Sequence, residues 1–359
     1  MTSTLSEVPP IGMPEDVRQV RSAQLATLVD ELTRRTLLIG GLGASVTLGL
    51  SSCGDTEGSR PTTSVEPGFP ARVTHKFGTT IIPTAPIRVV SAGSCTQDYL
   101  LAVGVIPVAI TDWYGHQPDA TWPWAHPRLR GAHPAVLTAD DGFEFEKIAV
   151  LGPDLIVATN DGMTAADYAK LSAIAPTIPQ SGRYRNYYDP WDVQTIQIGT
   201  ALGRPDHARG LVAGIKSRFA SERRSHPELH GTTVVFLQNA VSDGSVIASP
   251  AGFATEFLTG LGLVVPPQIA EFAQDAQAYI PLEQLSVLNS ADVLIWATEE
   301  PSDQAALQHV PGFQQLHAVR AGRSIYTGGT LSGAIYFDSP LSLPYVLDHL
   351  VPELAEVLT

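Results

Sequence analysis

Apolar positions recur with the helical period between Asp206 and Arg224, where Ala208, Leu211, Val212, Ile215 and Phe219 share one face. About 19 helical residues would span about 28 Å. Pro205 is placed to open this helix, and an earlier one is marked by Asp189 as its cap, Pro190 at its first position, Val193, Ile196 and Thr200 on one face, and Gly203 at its end. Short apolar runs on both sides read as buried strands: 87–91, 107–111 and 154–159 before the helical segment, and 232–238, 293–297 and 324–327 after it. A hairpin over 72–83 turns at Phe77-Gly78, and 176–179 reads as an edge strand. Further helices are expected over 165–174, 252–262, 282–288, 313–318 and 341–350, with Ser94 or Thr96 capping a helix that closes at Gly104.

The pattern repeats across the helical segment. Asp98 stands six residues before Gly104, and Glu256 six before Gly262, in stretches of the same shape. Likewise Phe145-Glu-Lys-Ile-Ala-Val-Leu-Gly-Pro-Asp154-Leu-Ile-Val is answered by Leu282-Glu-Gln-Leu-Ser-Val-Leu-Asn-Ser-Ala-Asp292-Val-Leu-Ile. The chain therefore reads as two α/β lobes of related construction, 72–188 and 227–359, joined by a helical connection over 189–226. A single long helix leaves few hinges, so the lobes would frame a cleft.

Composition sharpens this picture. With 359 residues, 44% hydrophobic and 16% charged, the chain can bury substantial cores. The net charge of −14 excludes nucleic acid as a partner, because phosphate recognition needs a basic face. Acidic excess persists without residues 1–52, where 18 basic residues face 31 acidic ones.

Residues 1–32 are polar and acidic, and Met13 is a second possible start. Arg34-Arg35 then precedes an uncharged Gly/Ala/Leu run to Leu50, too short and glycine-rich to span a membrane, which reads as a twin-arginine export signal. The run ends in Ser51-Ser52-Cys53-Gly54, a lipobox in which Cys53 would be lipidated. Residues 1–52 are thus expected to be removed and 53–71, rich in Ser, Thr, Gly and Pro, to be a flexible tether on the outer face of the cytoplasmic membrane. Cys95 is then the one remaining cysteine, expected to pack as a small apolar residue at a strand end, with no intrachain disulfide.

Chemistry concentrates at predicted strand exits, where α/β lobes bind ligands. Trp113, Tyr114, Trp122 and Trp124 lie among Pro, His, Gln and Asp, and read as a ligand wall or as plugs beneath a loop. A second knot, Arg183, Tyr184, Arg185, Tyr187 and Tyr188, mixes guanidinium donors with aromatic faces, which suits a large anionic ligand. On an extended stretch Arg183 and Arg185 would point the same way. Gln238, Asn239 and Trp296 complete the candidates. His75, His116, His126 and His133 fall in the first lobe without a complement in the second, so no metal site is assigned. No nucleophile elbow, helical His pair or phosphate loop marks an enzyme.

The lipobox, the acid-bearing helix ending Ala-Val-Gly104, Glu146 with Gly-Pro-Asp-Leu-Ile-Val, the crossing helix and the tail Pro311-Gly-Phe-Gln-Gln-Leu-His-Ala-Val-Arg320 together resemble the iron-siderophore substrate-binding lipoproteins of ABC importers. The likeness covers residues 73–359. It implies a class III periplasmic-binding-protein-like fold of two Rossmann-like lobes, a shallow cleft for a ferric siderophore, no cofactor, a monomer, and a permease with its ATPase as partners. Haem- and cobalamin-binding relatives share the fold and remain alternatives, ahead of a metal-ion receptor or an exported hydrolase. The resemblance also implies that acids at the lobe tops dock the permease, here Asp98 and Glu256. Hydroxamate-binding relatives often carry an arginine before the segment of Glu146, where this chain reads Ala139-Asp140-Asp141-Gly142.

Overall fold

The computed structural model describes residues 67–242 and 244–359. The export signal, Cys53 and nearly all of the tether lie outside the described residues.

The chain enters the first lobe through an antiparallel hairpin, β1 (Ala71–His75) and β2 (Gly78–Ile82), with Val73 paired to Thr80. Alternate residues Ala71, Val73 and His75 turn inward, as a two-faced strand requires. Then follow β3 (Val89–Ser91), α1 (Thr96–Ala102), β4 (Ala109–Asp112), β5 (Ala135–Thr138), α2 (Phe145–Val150), β6 (Leu155–Ala158), α3 (Ala165–Ile174) and β7 (Thr177–Pro179). The five later strands form a parallel sheet in the order β5-β4-β3-β6-β7. Its central strands β3 and β6 are buried throughout, which is why they read as unbroken apolar runs rather than alternations. β5 went unrecognised in sequence because only Leu137 of its four residues is buried.

Two helices carry the chain across: α4 (Trp191–Ala201) and α5 (Pro205–Ser225), the latter 21 residues long. Gly203 separates them with φ +67°, and a Cβ there would meet the Phe69 ring. Asp189, expected to cap α4, does not: Pro190 holds that position, while the Asp189 carboxylate accepts hydrogen bonds from Ser181 N and Oγ at 2.5 and 3.0 Å.

The second lobe contains β8 (Val234–Ser242), β9 (Ser245–Ala248), α6 (Glu256–Gly260), β10 (Ala273–Gln274), β11 (Gln277–Pro281), β12 (Val293–Ala297), α7 (Pro301–Gln308), α8 (His317–Arg320), β13 (Ser324–Tyr326), α9 (Gly328–Phe337) and α10 (Ser342–Leu358). Its sheet runs β10-β11-β9-β8-β12-β13, parallel among β8, β12 and β13 and antiparallel beyond β8. The lobes are therefore related but not equal. The closing helix continues past the expected stop at Leu350 and through Pro352 to Leu358, because Val351 and Leu354 are buried on its inner face. Burying two such side chains, at about 1.5–3 kcal/mol each, offsets the roughly 3 kcal/mol that an interior proline costs.

Candidate ligand cleft

Parallel strands place their carboxyl ends on one edge of a sheet. In the first lobe this edge carries residues 92–95 after β3, 113–116 after β4, 139–142 after β5, 159–162 after β6 and 180–189 after β7; in the second it carries Gln238 on β8, 249–254 after β9, the β10–β11 turn at 275–276, 298–303 after β12 and 327–330 after β13. The two edges face each other, and two bridges join them. Tyr114 Oη donates to Glu299 Oε1 at 2.8 Å, and Arg185 Nη1 donates to Asp275 Oδ1 at 3.0 Å.

Around the first bridge the Tyr114 ring meets Tyr336 edge-on at 5.7 Å, and Trp113 lies 5.6 Å from Phe337. Burial pushes the Tyr114 hydroxyl well above its ordinary pKa, with Glu299 adding to the effect, so Tyr114 stays a donor. Burial and then Glu299 push Tyr336 up to about 12. Around the second bridge the Arg185 guanidinium sits 4.5 Å over the Tyr188 ring, and Tyr188 meets Phe253 edge-on at 5.3 Å. Arg185, Tyr188, Gly252, Phe253 and Asp275 line a cavity of about 210 Å³.

The aromatic wall divides. Trp122 is 5% exposed, stacked between Tyr114 at 5.7 Å and Trp124 at 5.0 Å. A Cβ on Gly333 would come within 2.6 Å of the Trp122 ring, and one on Gly115 would clash with it too. Trp122 is thus a plug and not a ligand face. Trp124 donates Nε1 to Asp98 Oδ2 at 2.8 Å, which makes it a structural residue as well. Trp296 is fully buried against Phe313 at 5.5 Å and is corrected to a core residue: it lies on β12 itself, one residue short of the exit. Trp113 and Tyr114 alone of the four loop aromatics belong to the meeting edges.

The arginine knot is not an extended stretch, so Arg183 and Arg185 do not act as a pair. Arg185 is held by Asp275, while Arg183 is exposed and lowers the pKa of Asp189 against the stronger effect of burial. Tyr184 is exposed, and Tyr187, at φ +68°, packs its ring against Gly162. Next to it Asp161 is pushed up to about 7 by burial and then by Asp167. Gln238 is half-buried at the end of its β12 pairing, and the Asn239 side chain lies outside the described residues. Glu299, Asp275, Tyr336 and Phe253 escaped the sequence reading. Glu299 was within reach of it, two residues beyond an expected strand; Asp275 was not, since the turn between β10 and β11 was unrecognised.

The two docking acids differ. Asp98 is fully buried on α1, where Trp124 and Ser339 Oγ, at 2.5 Å, donate to one carboxylate oxygen; it is no rim acid. Burial pushes its pKa up to about 7 against those two hydrogen bonds. Glu256 is exposed and borders a 270 Å³ cavity with Trp191, Lys216, Phe257 and Asp338. Among the described residues no three His, Cys, Asp or Glu side chains converge as metal ligands would, and no helix is long and apolar enough to cross a membrane.

A family of periplasmic binding proteins matches residues 89–331. A candidate ABC transporter substrate-binding lipoprotein of Bacillus subtilis (strain 168), YhfQ, is 27% identical over 200 residues, 53% of this chain and 57% of that protein, so the match spans little more than half of the relative's length. A periplasmic solute-binding protein of Mycobacterium smegmatis is 47% identical, with a TM-score of 0.76 over 80% of this chain and 99% of that one. PiaA of Streptococcus pneumoniae, solved with ferrichrome, is 26% identical with a TM-score of 0.66 over 80% of this chain and 98% of its own. SirA of Staphylococcus aureus, solved with staphyloferrin B, shares the fold at 20% identity and a TM-score of 0.65 over 79% and 98%. These relatives are binding proteins and not enzymes.

Proposed function

Because the chain belongs to the periplasmic binding protein family, we propose that it is an extracytoplasmic receptor that captures a ferric siderophore between its lobes and delivers it to an ABC importer, a permease with its ATPase. The observation that carries this reading is the meeting of the two strand-exit edges through Tyr114–Glu299 and Arg185–Asp275. A large ferric chelate needs broad faces and hydrogen-bond partners rather than ligands to the metal; Trp113, Tyr114 and Tyr188 supply faces, and Tyr114 and Glu299 supply hydrogen-bonding groups. The exposure of Glu256 supports it as the acid that contacts the permease, a solvent-facing charge that would steer association. The protein acts as a monomer, tethered by lipidated Cys53 after twin-arginine export, which rests on Arg34-Arg35 and the lipobox.

Titration of tryptophan fluorescence with ferric siderophores, haemin and cobalamin tests the ligand, because Trp113 lies at the cleft. Saturable quenching by a ferric siderophore is expected, and no response to any of them would overturn the reading. In cells, Cys53→Ala should lose lipid labelling and be partly released from membranes.

A further inference from the structure

The two walls of the cleft carry different charge. On the first lobe's edge Lys76, Arg183 and Arg185 stand with Asp112, Asp140, Asp141, Asp161 and Asp189, so basic and acidic groups are mixed there. Lys76 donates to Asn186 Oδ1 at 3.0 Å and to Met163 O at 3.3 Å, Asp112 is paired with His116 at 2.8 Å, and Arg185 is spent on Asp275. The second lobe's edge segments, 249–254, 275–276, 298–303 and 327–330, contain Asp275, Glu299, Glu300 and Asp303 but no lysine or arginine. Glu299 is exposed, and the hydrogen bond its carboxylate accepts comes from Tyr114, across the cleft. Asp275, 85% exposed in its side chain, likewise takes its ion pair from the opposite wall.

A chelate that enters beside Tyr114 parts the Tyr114–Glu299 bridge and must give Glu299 a new donor, while Asp275 keeps Arg185 paired. We infer that the cleft selects ferric complexes of zero or positive net charge that present N–H or ammonium donors to Glu299, and disfavours polyanionic ones. This rests on the siderophore reading and narrows it. Three monoanionic hydroxamates cancel the charge of Fe³⁺, whereas three dianionic catecholates leave a trianion, which an all-acidic wall repels. It also departs from the expectation drawn from the arginine pair, since Arg185 is held by Asp275 and does not act with Arg183 as a paired anion receptor.

The test is a titration of the full-length protein with three probes: ferrioxamine B, a hydroxamate complex with a free ammonium; neutral ferrichrome; and a ferric tris-catecholate. The hydroxamate complexes should bind about tenfold or more tighter than the tris-catecholate. Glu299→Gln should reduce the advantage of the cationic complex over the neutral one by about three- to tenfold, and Asp275→Asn, which releases Arg185, should strengthen tris-catecholate binding. Circular dichroism and unfolding midpoints check that both variants fold, as exposed positions allow. Tightest binding of the tris-catecholate, or a charge preference unmoved by both variants, would overturn the inference while leaving a siderophore receptor intact. Failure of all three probes to bind would remove the receptor reading and this inference with it.

Discussion

The two lobes repeat each other where the chain acts locally and part company where distant segments meet. At the starts of β6 and β12 the repeat is close. Asp154 accepts hydrogen bonds from Ile87 N and Arg88 N at 2.7 and 2.8 Å, and Asp292 accepts from Thr233 N and Oγ1 at 2.9 and 2.6 Å; each acid ties its strand to the central strand beside it. The short helices α1 and α6 also end alike, with Val105 N bonded to Leu100 O at 2.9 Å and Leu263 N to Leu258 O at 3.2 Å, and Gly104 and Gly262 at φ +87° and +93°. Glycine tolerates that left-handed turn without strain, so the same local sequence makes the same stop. Yet the acids six residues earlier have opposite fates. All of α1 is buried beneath Trp124 and the turn at Ser339, whereas α6 buries only Phe257 and Leu258. Equivalent places in a repeat are equivalent in backbone and need not be equivalent in environment.

Charge reversal breaks this comparison most sharply. Asp98→Lys puts an ammonium where Trp124 and Ser339 already donate, and should cost about 3–5 kcal/mol in denaturant unfolding, the scale of an uncompensated buried charge. Glu256→Lys should stay within about 0.5 kcal/mol and leave ligand affinity unchanged, while abolishing uptake in vesicles reconstituted with the importer. Equal stability losses at the two positions would erase the distinction.

Trp122→Ala probes the same split within the aromatic cluster. A buried plug of that size should cost about 3–5 kcal/mol in unfolding free energy. Tyr114→Phe removes only the hydroxyl that bridges to Glu299, and should cost about 0.5–1.5 kcal/mol.

Proton linkage gives a third measure. Burial raises Asp98, Asp161 and Asp338 from the ordinary aspartate value of 3.8 to about 7. Between those values the folded state holds more protons than the unfolded chain, so the stability these groups contribute is full below about pH 4 and is lost as pH rises through about 7. Asp292 and Glu144 are shifted the other way, by hydrogen bonding from Thr233 for the first and from Lys147 and Thr138, against burial, for the second; their contribution disappears only as pH falls into the acid range. Urea midpoints should therefore decline from pH 5 to 8, and Asp98→Asn should flatten that decline more than Glu256→Gln does.

The smallest effect belongs to the Arg185–Asp275 bridge. Its side chains are 56% and 85% exposed, so Arg185→Ala should change stability by no more than about 1 kcal/mol, and less in high salt. A larger loss in thermal unfolding would mean that the bridge holds the lobes together.

Much of the fold was legible in sequence because its determinants are local. The periodicity of Ala208, Val212 and Ile215 marked α5, the run Val293–Ala297 marked β12 to the residue, and residues 165–174 were placed as the helix that the capping box of Thr164 and Asp167 begins. The antiparallel strands β9, β10 and β11 were not legible, since two to five residues of ordinary polarity become strands only when a neighbour supplies the ladder. For the cleft, strand exits pointed to Tyr114, Arg185 and Tyr188, but their partners Glu299, Asp275, Tyr336 and Phe253 lie 65 to 222 residues away along the chain.

The sequence by itself determined two α/β lobes, the helical crossing, the stops at Gly104 and Gly262, and an acidic protein with aromatic and cationic strand exits. Each follows from a period or a backbone preference expressed within a few residues. Tertiary structure alone decided which acid was buried, which tryptophans became plugs, and which carboxylates received Tyr114 and Arg185. Those outcomes depend on what the second lobe lays against the first, and Coulomb and desolvation energies are set by that surrounding rather than by the residue's own neighbours in the chain.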